Sequence, residues 1–182
     1  MESQIHRLFF ALLPDAATRE SIAEAANKAR AAHAFRGAGI DASRYHMTLQ
    51  FLGDFTAAPH AEIERARSAA ASLKSEPFEF ALDRVASFGR GRFPCVLRAS
   101  AATEPALRML WQRLYFALVR AGFSHKLERN FAPHVTLGYG DVPLAHELPT
   151  APIACRAQEF VLLESLVGKS IHNTLGRWPL RG

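Results

Sequence analysis

Cysteine, lysine and long apolar runs are all scarce in this 182-residue chain. The only cysteines, Cys95 and Cys155, form no Cys-x-x-Cys pair, which argues against a disulfide framework or a structural zinc site and favours a reducing cytoplasm. The longest apolar run covers only residues 8–13, far short of a membrane span of about 20 residues. The N-terminus carries the acidic residue Glu2 and has no basic region followed by a long apolar stretch, so we expect no secretory signal.

What is present is an ordinary globular balance with a basic excess. Hydrophobic residues make up 49% of the chain and charged residues 21%, which excludes disorder, collagen and coiled coil. Basic residues outnumber acidic ones by 22 to 17, and 18 of the 22 are arginine. Guanidinium groups match phosphate oxygens, so an anionic partner is favoured, although codon bias in an alanine-rich chain explains the arginine equally well.

Apolar periodicity and turn residues predict seven strands and three helices. Asp15 and Thr103 are the expected caps of the first and third helices, and Gly122 is the expected end of the third. We expect a turn over residues 89–92 and a proline-rich connection over residues 142–152. The predicted strands cover residues 6–13, 44–52, 78–85, 95–99, 134–139, 160–166 and 173–180, and the helices cover residues 15–34, 56–73 and 103–122.

Strands and helices alternate without the regular rhythm of a parallel sheet, which predicts an α+β fold with mainly antiparallel sheets. No proline-rich or serine-rich linker divides the sequence. We therefore expect residues 1–182 to form a single domain, and nothing in the pattern calls for an obligate protein partner.

Two segments of the sequence repeat one another. Residues 46–54 read HMTLQFLGD and residues 134–141 read HVTLGYGD, so each has His-x-Thr-Leu, an aromatic residue, a glycine and an aspartate. The two histidines, at positions 46 and 134, are 88 residues apart, close to half of the chain, which indicates an internal repeat.

Strand alternation gives these motifs a chemical meaning. His46 and Thr48 are expected on one face, with Met47, Leu49 and Phe51 on the other. Likewise, the imidazole and hydroxyl of His134 and Thr136 should share a face, opposite Val135, Leu137 and Tyr139.

Two opposed imidazoles suit in-line displacement at phosphorus, one removing a proton from water and the other protonating the departing oxygen. The hydroxyls of Thr48 and Thr136 are expected to bind the non-bridging phosphate oxygens. No metal or other cofactor is required in principle.

The paired motifs resemble those of the 2H phosphoesterase superfamily, and within it the bacterial RNA 2′,3′-cyclic phosphodiesterases, formerly described as 2′-5′ RNA ligases. The likeness extends to the RLFFAL segment at residues 7–12, Pro133 before the second motif and the RWPL segment at residues 177–180. It implies two pseudo-symmetric lobes of antiparallel sheet with outer helices, and an active cleft between the lobes. It also implies metal-independent opening of a 2′,3′-cyclic phosphate to a 2′-phosphomonoester, with His46 as proton donor and His134 as proton acceptor.

The sequence departs from that family in two places. The position five residues after the second histidine, where the family often has a phosphate-binding arginine, is Tyr139, and His172 stands where the family has a tyrosine near the C-terminus. Candidates to bind the substrate instead are Arg92, Lys126 and Arg129, besides Tyr139 itself. Each of these cations is equally well explained as a solvated surface charge.

Three other functions stay open. The same site could join a cyclic phosphate end to a 5′-hydroxyl as a 2′-5′ RNA ligase, although without a P-loop an ATP-driven ligase is disfavoured. The motifs could instead form the floor of a non-catalytic RNA-binding groove. A zinc hydrolase needs about three protein ligands, of which only two histidines are evident.

Overall fold

The fold is described from a computed structural model that covers residues 4–37, 39–89, 92–124 and 127–182. In chain order its elements are β1 His6–Leu12, α1 Ala16–Ala31, a short 3₁₀ turn Ala42–Arg44, β2 Met47–Phe55, α2 His60–Ala71, β3 Phe78–Ser87, β4 Phe93–Ala99, α3 Glu104–Arg120, β5 His134–Gly140, β6 Leu148–Ala157, β7 Glu159–Leu166 and β8 Ile171–Pro179.

The strands form two four-stranded sheets, one with the order β2-β1-β7-β8 and the other with the order β5-β4-β3-β6. Every neighbouring pair is antiparallel. This confirms the α+β class, with each sheet forming the centre of one lobe.

The two sheets repeat one design. In each, a strand, a long helix and a returning end strand follow one another, as β1-α1-β2 in the first lobe and β4-α3-β5 in the second. The first sheet is completed by β7 and β8 from the C-terminal end of the chain, and the second by β3 and β6. The lobes are therefore not the two halves of the sequence, because the chain returns to the first sheet at its end.

The long helices begin and end at residues that the sequence marks. The carboxylate of Asp15 accepts a hydrogen bond from the backbone N–H of Thr18, as an N-cap should. Gly122 follows α3 with φ +87°, a conformation that favours glycine and ends the helix. Thr103 precedes α3, but its hydroxyl does not cap the helix and instead accepts from the backbone N–H of Ala81.

The hydrophobic core lies between the sheets and the helices. The buried faces of α1 and α3 supply Ile22, Ala25, Ala26 and Ala29, and Leu107, Leu110, Trp111, Leu114 and Leu118, as the periodicity predicted. A second, smaller cluster consists of Phe9, Ala11, Val161 and Leu163, on the opposite face of the first sheet. Cys95 and Cys155 are free, buried thiols.

Several predicted boundaries were wrong. β2 begins at Met47 rather than at residue 44 and continues through Gly53 and Asp54, because the strand pairs with β1 as far as Phe55. α2 begins at His60, after Pro59, rather than near Thr56. Residues 148–152 of the segment predicted as a proline-rich connection belong to β6, an end strand where proline lacks only a hydrogen bond that no neighbour requires. The turn predicted over residues 89–92 lies partly outside the described residues, and Lys126 lies wholly outside them.

Within the described ranges, no helix is long and apolar enough to cross a bilayer.

Candidate active site

The two motif strands, β2 and β5, are end strands of their sheets and lie against each other. A cavity of about 390 Å³ opens beside them. It is lined from the first sheet and its flanking turn by Arg7, Phe9, Arg44, His46, Thr48, Phe51, Ser165 and His172, from β5 by Thr136 and Tyr139, and from a loop by Ile40. The cavity therefore brings together residues of both motifs.

A matching irregularity in the two motif strands shapes this cavity. Phe10 and Ala11 of β1 pair with Gln50 and Thr48, so Leu49 is an extra residue in β2. Cys95 and Val96 of β4 pair in the same way with Gly138 and Thr136, so Leu137 is an extra residue in β5. Both bulges fall on the leucine of His-x-Thr-Leu, and a bulge changes which side chains face each side of a strand.

The bulges overturn part of the predicted alternation. Met47 and Leu49 point into the core as expected, and so do Val135 and Leu137. Phe51 and Tyr139 were predicted on that same apolar face, but both line the cavity, because one extra residue precedes each of them. Each motif therefore contributes an aromatic ring as well as a threonine to the cavity wall.

The two imidazoles have the same hydrogen-bonding arrangement. Nδ1 of His46 donates to the backbone carbonyl of Arg44 at 2.8 Å, and Nδ1 of His134 donates to that of Ala132 at 2.6 Å. In both cases the acceptor lies two residues earlier. These bonds place the proton of the neutral ring on Nδ1 and leave Nε2 as the nitrogen that can exchange a proton with a bound molecule.

Burial tunes both histidines in the same direction. It lowers the pKa of His46 below its usual 6.5, with smaller lowering effects from His134 and Arg44, against the opposing carbonyl hydrogen bond. Burial also lowers the pKa of His134, and the positive charge of Arg98 adds to the effect.

Aromatic rings hold each imidazole from one side. The ring centroid of Phe9 lies 5.0 Å from that of His46, and the ring of Phe88 meets His134 edge-on, also at 5.0 Å. Phe9 is 4% exposed, whereas Phe88 is 41% exposed. His134 is not itself among the residues lining the cavity, but it lies two residues before Thr136, which does line it, on β5.

The threonines occupy equivalent positions in the two sheets. Thr48 pairs with Ala11, and Thr136 pairs with Val96. Both neighbours are buried and apolar, so their side chains offer the hydroxyl groups no hydrogen-bond partner. Both threonines line the cavity and are half-buried, as donors to a bound anion must be.

The four residues named as further candidates to bind the substrate do not all lie at the cavity. Tyr139 lines the cavity, and the guanidinium of Arg92 lies over its ring at 4.3 Å. Arg129 is exposed and is not among the cavity's lining residues. Lys126 lies outside the described residues.

Among the basic side chains that line the cavity, sequence reasoning missed Arg7, Arg44 and His172. His172 lies in β8, directly opposite Ser165, which itself lies opposite Arg7. The one available signal was the position of His172 where the related family has an aromatic residue. Nothing in the sequence pattern distinguished Arg7 or Arg44 from the other arginines.

Two other features bear on function. A larger groove of about 880 Å³ lies between α1 and β6, but its lining contains no motif residue. Among residues 4–37, 39–89, 92–124 and 127–182, no group of three or more His, Cys, Asp or Glu side chains is arranged to hold a metal ion.

The fold has two antiparallel lobes, and a His-x-Thr motif from each lobe lies at one cavity. This combination of fold and site is the one expected from the resemblance to the 2H phosphoesterases. A family model described as the 2′-5′ RNA ligase superfamily matches residues 14–168. The chain belongs to this superfamily, which confirms the resemblance inferred from the motifs.

A curated relative supports the same family assignment. A curated protein of Geobacillus stearothermophilus named RNA 2′,3′-cyclic phosphodiesterase is 34% identical over 146 residues, which are 76% of this chain and 46% of the relative. The match thus spans about half the length of that relative.

Solved structures extend the match to the whole chain. The apo form of LigT from E. coli superposes with a TM-score of 0.78 at 26% identity, covering 99% of this chain and 100% of LigT. LigT complexed with 3′-AMP matches equally well, with a TM-score of 0.78, 26% identity and the same coverage. LigT complexed with phosphate has a TM-score of 0.75 at 25% identity, covering 99% and 100%.

Proposed function

We propose that this protein hydrolyses RNA 2′,3′-cyclic phosphate ends to 2′-phosphomonoesters by metal-independent general acid–base catalysis. The observation that carries the proposal is that His46, Thr48 and Thr136, from both His-x-Thr motifs, line one cavity, with matched bulges and matched imidazole tautomers in the two motifs. The activity named for the Geobacillus relative supports the reaction, and the 3′-AMP and phosphate complexes of LigT support a nucleotide phosphate as the ligand.

In the proposed reaction a water molecule attacks phosphorus opposite the 3′ oxygen. Nε2 of neutral His134 accepts a proton from that water as the new P–O bond forms. The bond from phosphorus to the 3′ oxygen breaks, and Nε2–H of protonated His46 donates a proton to that oxygen. The products are a 2′-phosphomonoester and a free 3′-hydroxyl, and the two histidines have exchanged protonation states.

The carbonyl hydrogen bonds are what make the two nitrogens reactive in this way. When His46 is protonated, its Nδ1–H remains bound to the carbonyl of Arg44 and its Nε2–H points to the substrate. When His134 is neutral, its Nδ1–H remains bound to the carbonyl of Ala132 and its Nε2 lone pair is free. Neither ring needs to rotate between the two steps of proton transfer.

Charge accumulates on the non-bridging oxygens as water attacks. Thr48 and Thr136 supply hydroxyl donors from opposite sides of the cavity, in the manner of an oxyanion hole. Each is paired across its sheet with an apolar residue, so the hydroxyl has no competing partner at that position. Because these donors belong to the chain, the proposed mechanism uses no metal or nucleotide cofactor.

The test is hydrolysis of an oligoribonucleotide with a 2′,3′-cyclic phosphate end, in the presence of a chelator, with the phosphate position of the product determined. We expect a 2′-phosphate, and we expect His46→Ala and His134→Ala each to lose roughly 10²–10⁴-fold in rate. His146→Ala is the matched control, because His146 is exposed and outside the cavity. Full activity in either motif variant would eliminate the mechanism, and inhibition by the chelator would favour a metal hydrolase.

The second candidate is 2′-5′ RNA ligation at the same site, favoured by the name of the matching superfamily. A 5′-hydroxyl acceptor would then replace water as the attacking group. Adding an acceptor oligonucleotide to the assay separates the two reactions, because ligation gives a longer product and hydrolysis does not. RNA binding with steep salt dependence and no turnover at any pH would instead indicate a non-catalytic module.

A further inference from the structure

Two arginines line the cavity, and they differ in how their charges are satisfied. Arg7 donates to Asp54 through Nε at 2.8 Å and through Nη2 at 2.7 Å, so one edge of its guanidinium is occupied by a carboxylate. Its guanidinium also lies over the ring of Phe51, at 5.8 Å from the centroid. Arg7 is therefore an arginine already neutralised by an acidic partner.

Arg44 has no such partner. No carboxylate of the described residues forms a salt bridge with it, and its Nε is buried without a hydrogen-bond acceptor. A buried donor that is left unpaired is costly, and an acceptor entering the cavity would remove that cost. Arg44 also precedes His46 by two residues, and its carbonyl accepts the proton of His46 Nδ1.

Within the part of the chain that the structure describes, the side chain that hydrogen-bonds to the Arg44 guanidinium is His172. Arg44 Nη2 lies 3.5 Å from Nε2 of His172, a long contact in which the arginine must be the donor. Burial, together with the nearby His46 and Arg44, lowers the pKa of His172 to about 4, so the ring is neutral near pH 7 and able to accept. The ring is also fixed edge-on against His46 at 5.4 Å and against Phe9 at 5.8 Å.

We propose that Arg44 is the phosphate-binding cation of this site, and that His172 positions it by accepting a hydrogen bond from Nη2. The proposal rests on the proposed function and adds the residue that provides the positive charge. The N–H groups of the guanidinium that do not bind His172 are donors suited to two non-bridging oxygens of one phosphate. It would supply, from just before the first motif, the cation that Tyr139 does not provide in the second.

The first experiment compares Arg44→Gln, Arg44→Lys and Arg113→Gln. Arg113 is the matched control because it lies on α3 outside the cavity, bound to the backbone carbonyl of Lys74. On a 2′,3′-cyclic nucleotide we expect Arg44→Gln to lose roughly 100-fold in kcat/KM, with Arg44→Lys intermediate because it keeps the charge but not the fork. Arg113→Gln should match the wild type.

Binding of inorganic phosphate makes the test independent of turnover. If Arg44 holds phosphate, the dissociation constant measured by calorimetry or as competitive inhibition should rise at least about tenfold in Arg44→Gln. Unchanged phosphate affinity, or kcat/KM within about threefold of wild type, would overturn the proposal. If the wild type hydrolyses no cyclic phosphate, the proposed reaction fails, while phosphate binding still decides the role of Arg44.

The positioning role of His172 is tested by a double-mutant cycle. His172→Phe keeps a ring against His46 and Phe9 but removes the acceptor for Arg44. We expect a loss of roughly 5–10-fold in phosphate affinity in the wild-type background and none in the Arg44→Gln background, because neighbouring groups acting as one unit are not additive. Equal losses in both backgrounds, or no loss in either, would show that His172 does not act through Arg44.

Discussion

Phe9 connects the packing of the first sheet to the chemistry of His46, and its removal should change both. The side chain is 4% exposed and lies against His46 and His172. It also belongs to the small apolar cluster with Ala11, Val161 and Leu163. Phe9→Ala would therefore open the wall of the cavity directly behind the His46 imidazole.

The expected loss of stability follows from the buried area. A phenylalanine buries about 150–250 Å², and about 25 cal/mol per Å² gives roughly 4–6 kcal/mol. Residual burial in the unfolded chain removes about 10–40% of that value, and water entering from the adjacent cavity relieves part of the rest. We expect the free energy of unfolding to fall by about 3 kcal/mol, at the lower end of Phe→Ala losses.

The pKa of His46 should move in the opposite direction to its present shift. Burial disfavours the imidazolium and lowers the pKa, so exposing the ring should raise the pKa toward 6.5. NMR titration of His46 and urea unfolding measure the two effects. Phe88→Ala is the control, because Phe88 is already 41% exposed and contacts His134, so neither stability nor the His46 pKa should change much. A folded Phe9→Ala protein whose His46 pKa is unchanged or lower would refute the reasoning.

Three further outcomes are expected. Because burial lowers the pKa of both His46 and His134, kcat/KM should peak below pH 6.5 and fall about tenfold per unit at high pH; a maximum above pH 7 would contradict this. Gly138→Ala places a Cβ 2.5 Å from the Phe35 ring, so urea unfolding should show a loss of about 2 kcal/mol, and a neutral result would count against this close packing. Unfolded His172 protonates below about pH 6.5 but the folded residue only near pH 4, so stability is lost as pH falls through that window. After a discount for solvent screening this loss is about 1.5 kcal/mol between pH 7 and 4, and His172→Phe should lack it.

The paired motifs could be found in the sequence because each is short, local and repeated. The helix faces of α1 and α3 could be predicted for a similar reason, since apolar periodicity and a cap at Asp15 are local signals. The extent of β6 could not, because Pro149 and Pro152 suggest a loop, and only its place at the edge of a sheet makes prolines acceptable there.

The remaining errors come from contacts between distant segments. Phe51 and Tyr139 face the cavity because of bulges at Leu49 and Leu137, which depend on pairing with β1 and β4. His172 reaches the cavity only because the β7-β8 hairpin returns to the first sheet. A single sequence carries no local signal for either effect.

The assignment of His46 as proton donor and His134 as proton acceptor is tested most directly by changing the leaving group. In a 2′,3′-cyclic phosphorothiolate with sulfur at the 3′ position, the departing thiolate needs no proton, whereas the attacking water must still lose one. We predict that His46→Ala, which loses roughly 10²–10⁴-fold on the oxygen substrate, recovers nearly full activity on the sulfur substrate, while His134→Ala stays equally impaired on both. Equal impairment of both variants on both substrates, or rescue of His134→Ala instead, would contradict the assignment.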